Sequence, residues 1–180
     1  VNRRFPGVAV VVLCLGGCAT TAAPAPPASP ATQAAFNPTD VAWLQLVVPM
    51  TENALAAARL APQHTASPAI RSAADAFAGP QERLLVHLRA TRDRAGLPAS
   101  DVHSGHRMPG MVTPADLVAL RTERGSAFDR RLVALLRAHA AQLVVLAGGE
   151  QNSGADAGTR ELAGAVGAEV THAGELLAKV

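Results

Sequence analysis

Cysteine is nearly absent: the chain of 180 residues has two, Cys14 and Cys18, both within the first eighteen positions. The rest of the chain therefore offers no disulfide, no thiolate zinc site and no cysteine nucleophile. A basic excess is missing too once the N-terminal segment is set aside. Without Arg3 and Arg4, the 16 basic residues become 14, against 14 acidic ones, which leaves no electrostatic case for nucleic-acid binding. There is no Gly-rich phosphate loop and no Ser-His-Asp order in a supporting context, so a non-enzymatic role is expected. No stretch alternates apolar and polar residues between turn signals, which argues against sheet and leaves helix.

What is present begins with a short address. Arg3 and Arg4 precede an apolar stretch from Gly7 to Leu15, too short to span a bilayer as a helix, and Leu15-Gly16-Gly17-Cys18 closes it. This pattern resembles the lipobox of bacterial lipoproteins, which implies lipidation at Cys18 and cleavage before it. Residues 1–17 are then a signal peptide, and the expected location is the extracytoplasmic face of a bacterial cell membrane, held by a lipid anchor. Residues 18–35 are Ala, Pro, Thr and Ser with a single Gln and no charge, a composition that buries no core and serves as a tether. Residues 36–180 suit a single domain.

Helix starts recur within that domain. Asn37-Pro38-Thr39-Asp40, Ser67-Pro68 and Thr113-Pro114-Ala115-Asp116 each place a capping side chain before a proline. Ser126-Ala127-Phe128-Asp129 repeats the cap and the acid. Gly96-Leu97-Pro98, Gly125 and Gly148-Gly149 read as stops. Between these marks the apolar spacing is helical: Val41, Leu44, Val48 and Leu55; Ile70, Phe77, Leu84 and Leu88; Leu132, Leu136 and Leu143; Leu162, Val166, Val170 and Leu177. Val47 to Ala58 also resembles Leu135 to Leu146 at an offset of 88, and Ile70 to Ala74 resembles Thr159 to Ala163 at 89. Two repeated helical hairpins are expected, an all-α four-helix bundle with a short crossover helix at Pro114 to Arg124. Pro49 should kink the first helix, His64 and His87 should be exposed, and Arg83, Arg89, Arg92 and Arg94 should form a solvated face.

Several segments are similar to those of the DUF305 lipoproteins, whose domain has a ferritin-like four-helix fold. They are Phe36 to Trp43, Val47-Val48-Pro49-Met50-Thr51, Met108-Pro109-Gly110-Met111 leading into Thr113 to Leu117, and Phe128-Asp129 with Leu135 to His139. The resemblance implies metal binding through an adjacent His-His pair on each long helix. At those positions this chain has Met50-Thr51 and Ala138-His139, so three of the four histidines are missing. The partner motif Gln-x-x-Glu becomes Gln81 to Leu84, and its second copy falls at Val170 and Ala173.

Two candidate sites follow from the residues. Glu169 and His172 are three apart, on one side of a helix, and with His139 and Glu52 they could form a mononuclear metal site. The alternative is that Glu169 and His172 are solvated and His139 lies in the core. In the crossover, His103, His106, Met108 and Met111 combine imidazole with thioether, a donor set suited to copper. The expected function is a cell-envelope lipoprotein with weak copper binding or buffering through these four residues, with His139 contributing at best. A metal-free scaffold or protein-interaction module is the alternative.

Overall fold

The computed structural model describes residues 36–100, 105 and 107–180. Six helices occur among them: α1 (Pro38–Ala58), the one-turn α2 (Ala61–His64), α3 (Pro68–Arg94), α4 (Pro114–Thr122), α5 (Gly125–Ser153) and α6 (Ala157–Leu177). Helices α1 and α3 form one antiparallel hairpin, α5 and α6 the second, and α4 lies in the crossover. Lipidation at Cys18 and the tether of residues 18–35 lie outside the described residues.

The helix starts follow the sequence logic. Asn37 accepts hydrogen bonds from the Thr39 and Asp40 amides, while Asp40 accepts from the Asn37 amide at 2.6 Å, a complete capping box. Thr113 and Asp116 form a second box ahead of α4. Ser67 caps α3, and Asp156 caps α6 through the Thr159 amide at 2.7 Å. Each cap of this kind contributes about 1 kcal/mol and fixes where the helix begins. Helix α5 departs from expectation at both ends. Ser126 lies inside the helix, and Arg124 stands at the N-cap without a side-chain bond.

Gly148-Gly149 does not stop α5, which continues to Ser153. Two glycines cost a helix about 2 kcal/mol relative to alanine. Tertiary contacts offset that cost: Ala147 and Glu150 are buried, and Asn37 donates its side-chain amide to the Ser153 carbonyl at 2.8 Å. That last bond also orients the hairpins, because it joins the start of α1 to the end of α5. The two repeated helices therefore run antiparallel.

Two apolar clusters fill the bundle. One gathers Phe77, Leu120, Phe128, Leu132 and Leu136; the other gathers Trp43, Leu44, Val47, Leu88, Leu143, Val166 and Val170. Each fully buried large side chain contributes roughly 1.5–3 kcal/mol. Hence Val166, Val170 and Leu177 outweigh the helical weakness of Gly164, Gly167 and Gly174 in α6, about 1 kcal/mol apiece. Helix α5 contains an 18-residue window with mean hydropathy 1.6, apolar enough to cross a membrane. Its buried stripe of Phe128, Leu132, Leu136, Leu143 and Ala147 instead packs against α1 and α6, with Arg130, Arg131 and Arg137 on its outer side.

His64 is a further correction. It is buried, its ring lies 5.1 Å from that of Phe128, and its Nδ1 sits 2.9 Å from the Glu123 carbonyl and 2.7 Å from Arg124. The short α2 turn, which the sequence did not announce, carries it inward. His87 is exposed, as expected.

Replacing Asp156 with Ala removes the α6 cap and the two bonds that Arg94 makes to it. The expected loss is about 2–3 kcal/mol, measured by chemical denaturation at neutral pH.

Candidate functional site

The hairpin repeat and the antiparallel pairing together define one level of the core. Asn37 meets Ser153 and Asp40 meets the Ala155 and Asp156 amides, and the same register carries Thr51 of α1 level with His139 of α5. The repeat adds Gln81 of α3 and Val170 of α6. All four side chains are buried, between 0% and 1% exposed. Neither nitrogen of His139, nor the Thr51 hydroxyl, nor either polar atom of the Gln81 amide has a hydrogen-bond partner among the described residues.

His139 is held by packing. Its ring meets Phe77 edge-on at 5.9 Å, and the Gly110 backbone faces it without hydrogen-bond geometry. Burial lowers its pKa from 6.5 to about 4, with the Gly110 backbone offsetting part of the shift. The imidazole is therefore neutral at physiological pH and keeps a lone pair. One such lone pair beside a hydroxyl and a primary amide makes a poor transition-metal site.

The crossover supplies the lid over this level. Met108, Pro109, Gly110 and Met111 form a type II turn: the Met111 amide donates to the Met108 carbonyl at 3.2 Å, Pro109 takes the second position, and Gly110 has φ +73° at the third. Glycine is required there twice. A side chain would strain the backbone, and a Cβ would lie 2.7 Å from the Ala138 carbonyl of α5. Both methionines of the turn are half-buried, and Met111 packs against the apolar cluster that includes Trp43. His103 and His106 lie outside the described residues.

The family profile for DUF305, a domain of unknown function, matches residues 40–174. The chain belongs to the DUF305 family. Its bundle is similar to a DUF305 protein of Streptomyces coelicolor, inferred to be secreted, with a TM-score of 0.67 and 20% identity over 78% of this chain and 90% of that one. A DUF305 fragment from Deinococcus radiodurans gives 0.65 and 19% over 80% and 98%. These likenesses show the fold. No curated protein matches the chain.

In this DUF305 chain the expected four-residue metal site is not brought together. Glu52 lies at the outer edge of α1, paired with Arg89 of α3 at 2.8 Å. His172 is exposed, 4.0 Å from Glu175, and Glu169 is half-exposed. The reason is helical phase. Ala163, Val166, Val170, Ala173 and Leu177 form the buried stripe of α6, and positions 169 and 172 fall one residue off it, turned outward. Among the described residues no group of three or more His, Cys, Asp or Glu gathers at metal-binding range.

A polar cluster that sequence reasoning missed lies at the bundle end where α1 starts. Asp40 is fully buried, and besides the Asn37 amide it accepts from the Ala155 amide at 3.1 Å and the Asp156 amide at 3.2 Å. Burial would raise its pKa, but these bonds and one from Glu150 hold it below the ordinary value. Arg94 donates two bonds of 3.0 Å to Asp156 and lowers that carboxyl to about 2. Its guanidinium also lies 4.9 Å from the Phe36 ring centre, so Arg94 joins the elements rather than only facing solvent. Asn37 and Asp40 were legible as a cap. Their reach to residues 115 or more positions away left no local signal.

His139 sets an acid limit on stability. Its folded pKa lies below its unfolded one, so its favourable contribution is full above pH 6.5 and is lost as pH falls towards 4. Relative to wild type, His139→Leu should gain up to about 3 kcal/mol between pH 6.5 and pH 4, followed by urea unfolding at each pH.

Proposed function

We propose that this chain is a non-enzymatic cell-envelope lipoprotein, displayed from the membrane by Cys18, whose bundle core holds no metal and serves as a scaffold or protein-interaction module. The observation that supports this reading is that His139 is buried and neutral while, among the described residues, no group of three or more His, Cys, Asp or Glu gathers at metal-binding range. The secreted character inferred for the Streptomyces coelicolor neighbour supports an extracytoplasmic location.

A second reading has its own observation. The type II turn at Met108 to Met111 joins the two methionines by a backbone hydrogen bond, in the segment whose sequence also carries His103 and His106. Thioether with imidazole favours Cu(I), and an exposed crossover suits loading and release, so weak copper buffering is assigned to this segment and not to the core. His139 lies beneath the turn and is shut off by its backbone.

Titration of the full chain with Cu(I) against a competing chelator separates the two. Copper buffering predicts one site, weakened at least about tenfold in the Met108→Leu/Met111→Leu variant and unchanged in His139→Leu. Absence of micromolar binding in the wild type leaves the metal-free scaffold; loss of binding in His139→Leu returns the metal to the core and overturns the reading.

A further inference from the structure

Glu150 stands near the end of α5 with only 1% of its surface exposed, and neither carboxyl oxygen receives a bond from a donor. The chain folds back over it. A Cβ on Gly154 would collide with the Glu150 carboxyl group and lie 2.8 Å from its carbonyl oxygen, so glycine is what lets the α5–α6 turn close at this point. The Asp40 carboxyl of α1 meets the same turn, for it accepts the amides of Ala155 and Asp156, the two residues that follow Gly154.

The charges around this pair are unbalanced. Helix α1 contributes Asp40, and the start of α6 contributes Asp156 and, more remotely, Arg160. Helix α3 contributes Arg94, whose two bonds both go to Asp156. Asp40 in turn draws only backbone donors, from Asn37, Ala155 and Asp156. Two carboxyl groups buried beneath one three-residue turn, with no cation bonded to either among the described residues, do not both ionise readily.

We propose that Glu150 and Asp40 form a one-proton latch that fastens the α5–α6 turn to the N-terminus of α1 and lets the turn open when the proton is lost. Asp40 is the acceptor on all sides, because its lone pairs already receive the amides of the turn. Glu150 is the donor and carries the proton. With the proton gone, two like charges face each other out of water, and exposing Glu150 means lifting residues 153–156 off Asp40. Helix α1 begins just after the stretch expected to serve as a tether, so the latch governs the rigidity of the bundle end at which that stretch arrives in sequence.

Burial, then Asp40, then Asp156 push Glu150 from 4.5 up to about 8, with Arg160 opposing. For an acid raised in the closed state, the open state loses its proton first as pH rises. Opening therefore gains about tenfold per pH unit from the ordinary carboxyl range up to about 8, and levels off above it.

Amide hydrogen exchange at Ala155 and Asp156 in the full chain, corrected for intrinsic rates between pH 5 and 8, tests the latch. Wild type should lose protection about tenfold per pH unit. Glu150→Gln keeps a donor for Asp40 and has no proton to release, so its protection should stay within about twofold. A flat wild-type profile, or a Glu150→Gln slope equal to wild type, overturns the proposal. Should the variant fail to fold, the carbon-13 carboxyl titration of Glu150 in the wild-type chain decides alone: a midpoint above pH 7 supports the latch, and one below it refutes it.

Discussion

The bundle depends on the Asp40 carboxylate more than on any single apolar contact. It closes the capping box that starts α1, and it also receives the first amides after α5, more than a hundred residues away. A helix cap is ordinarily local. Here the same oxygens fix the translation of one hairpin along the other, and the level at which every core side chain meets its neighbours follows. Arg94 extends the link to α3 through Asp156, so all four long helices converge on one polar end. Ion pairs elsewhere, such as Arg59 with Glu82, are exposed and contribute little by comparison.

The register so fixed gives the core an unusual middle. Above and below, Leu, Val, Phe and Trp side chains pack as in any bundle, but the Thr51, Gln81 and His139 level buries polar groups without partners among the described residues. Each such group costs roughly 1–3 kcal/mol against an apolar one of equal shape. The protein carries that cost within a net stability typically of only about 5–15 kcal/mol. Neutrality limits the damage: the hydroxyl and amide bear no charge, and burial keeps the imidazole uncharged down to about pH 4.

The crossover turn ties chemistry to packing. Gly110 lies so close to α5 that no side chain fits, and the turn that closes over His139 is also the device that pairs Met108 with Met111.

Much of this was legible in the residues because it is local. The Pro-led caps at Asn37, Ser67 and Thr113 and the 3.6-residue apolar spacing are short-range patterns, and with the repeat at an offset of 88 they determined the all-α class, the two hairpins and the crossover helix. What the tertiary structure decided is whatever rests on helical phase and long-range contact. It turned Glu169 and His172 outward, drew His64 into the core, carried α5 past Gly148-Gly149, and set Glu150 against Asp40. No neighbour in sequence records those outcomes, because the energies that choose them, burial of apolar stripes and sharing of one proton between distant carboxyls, exist only after the two hairpins have come together.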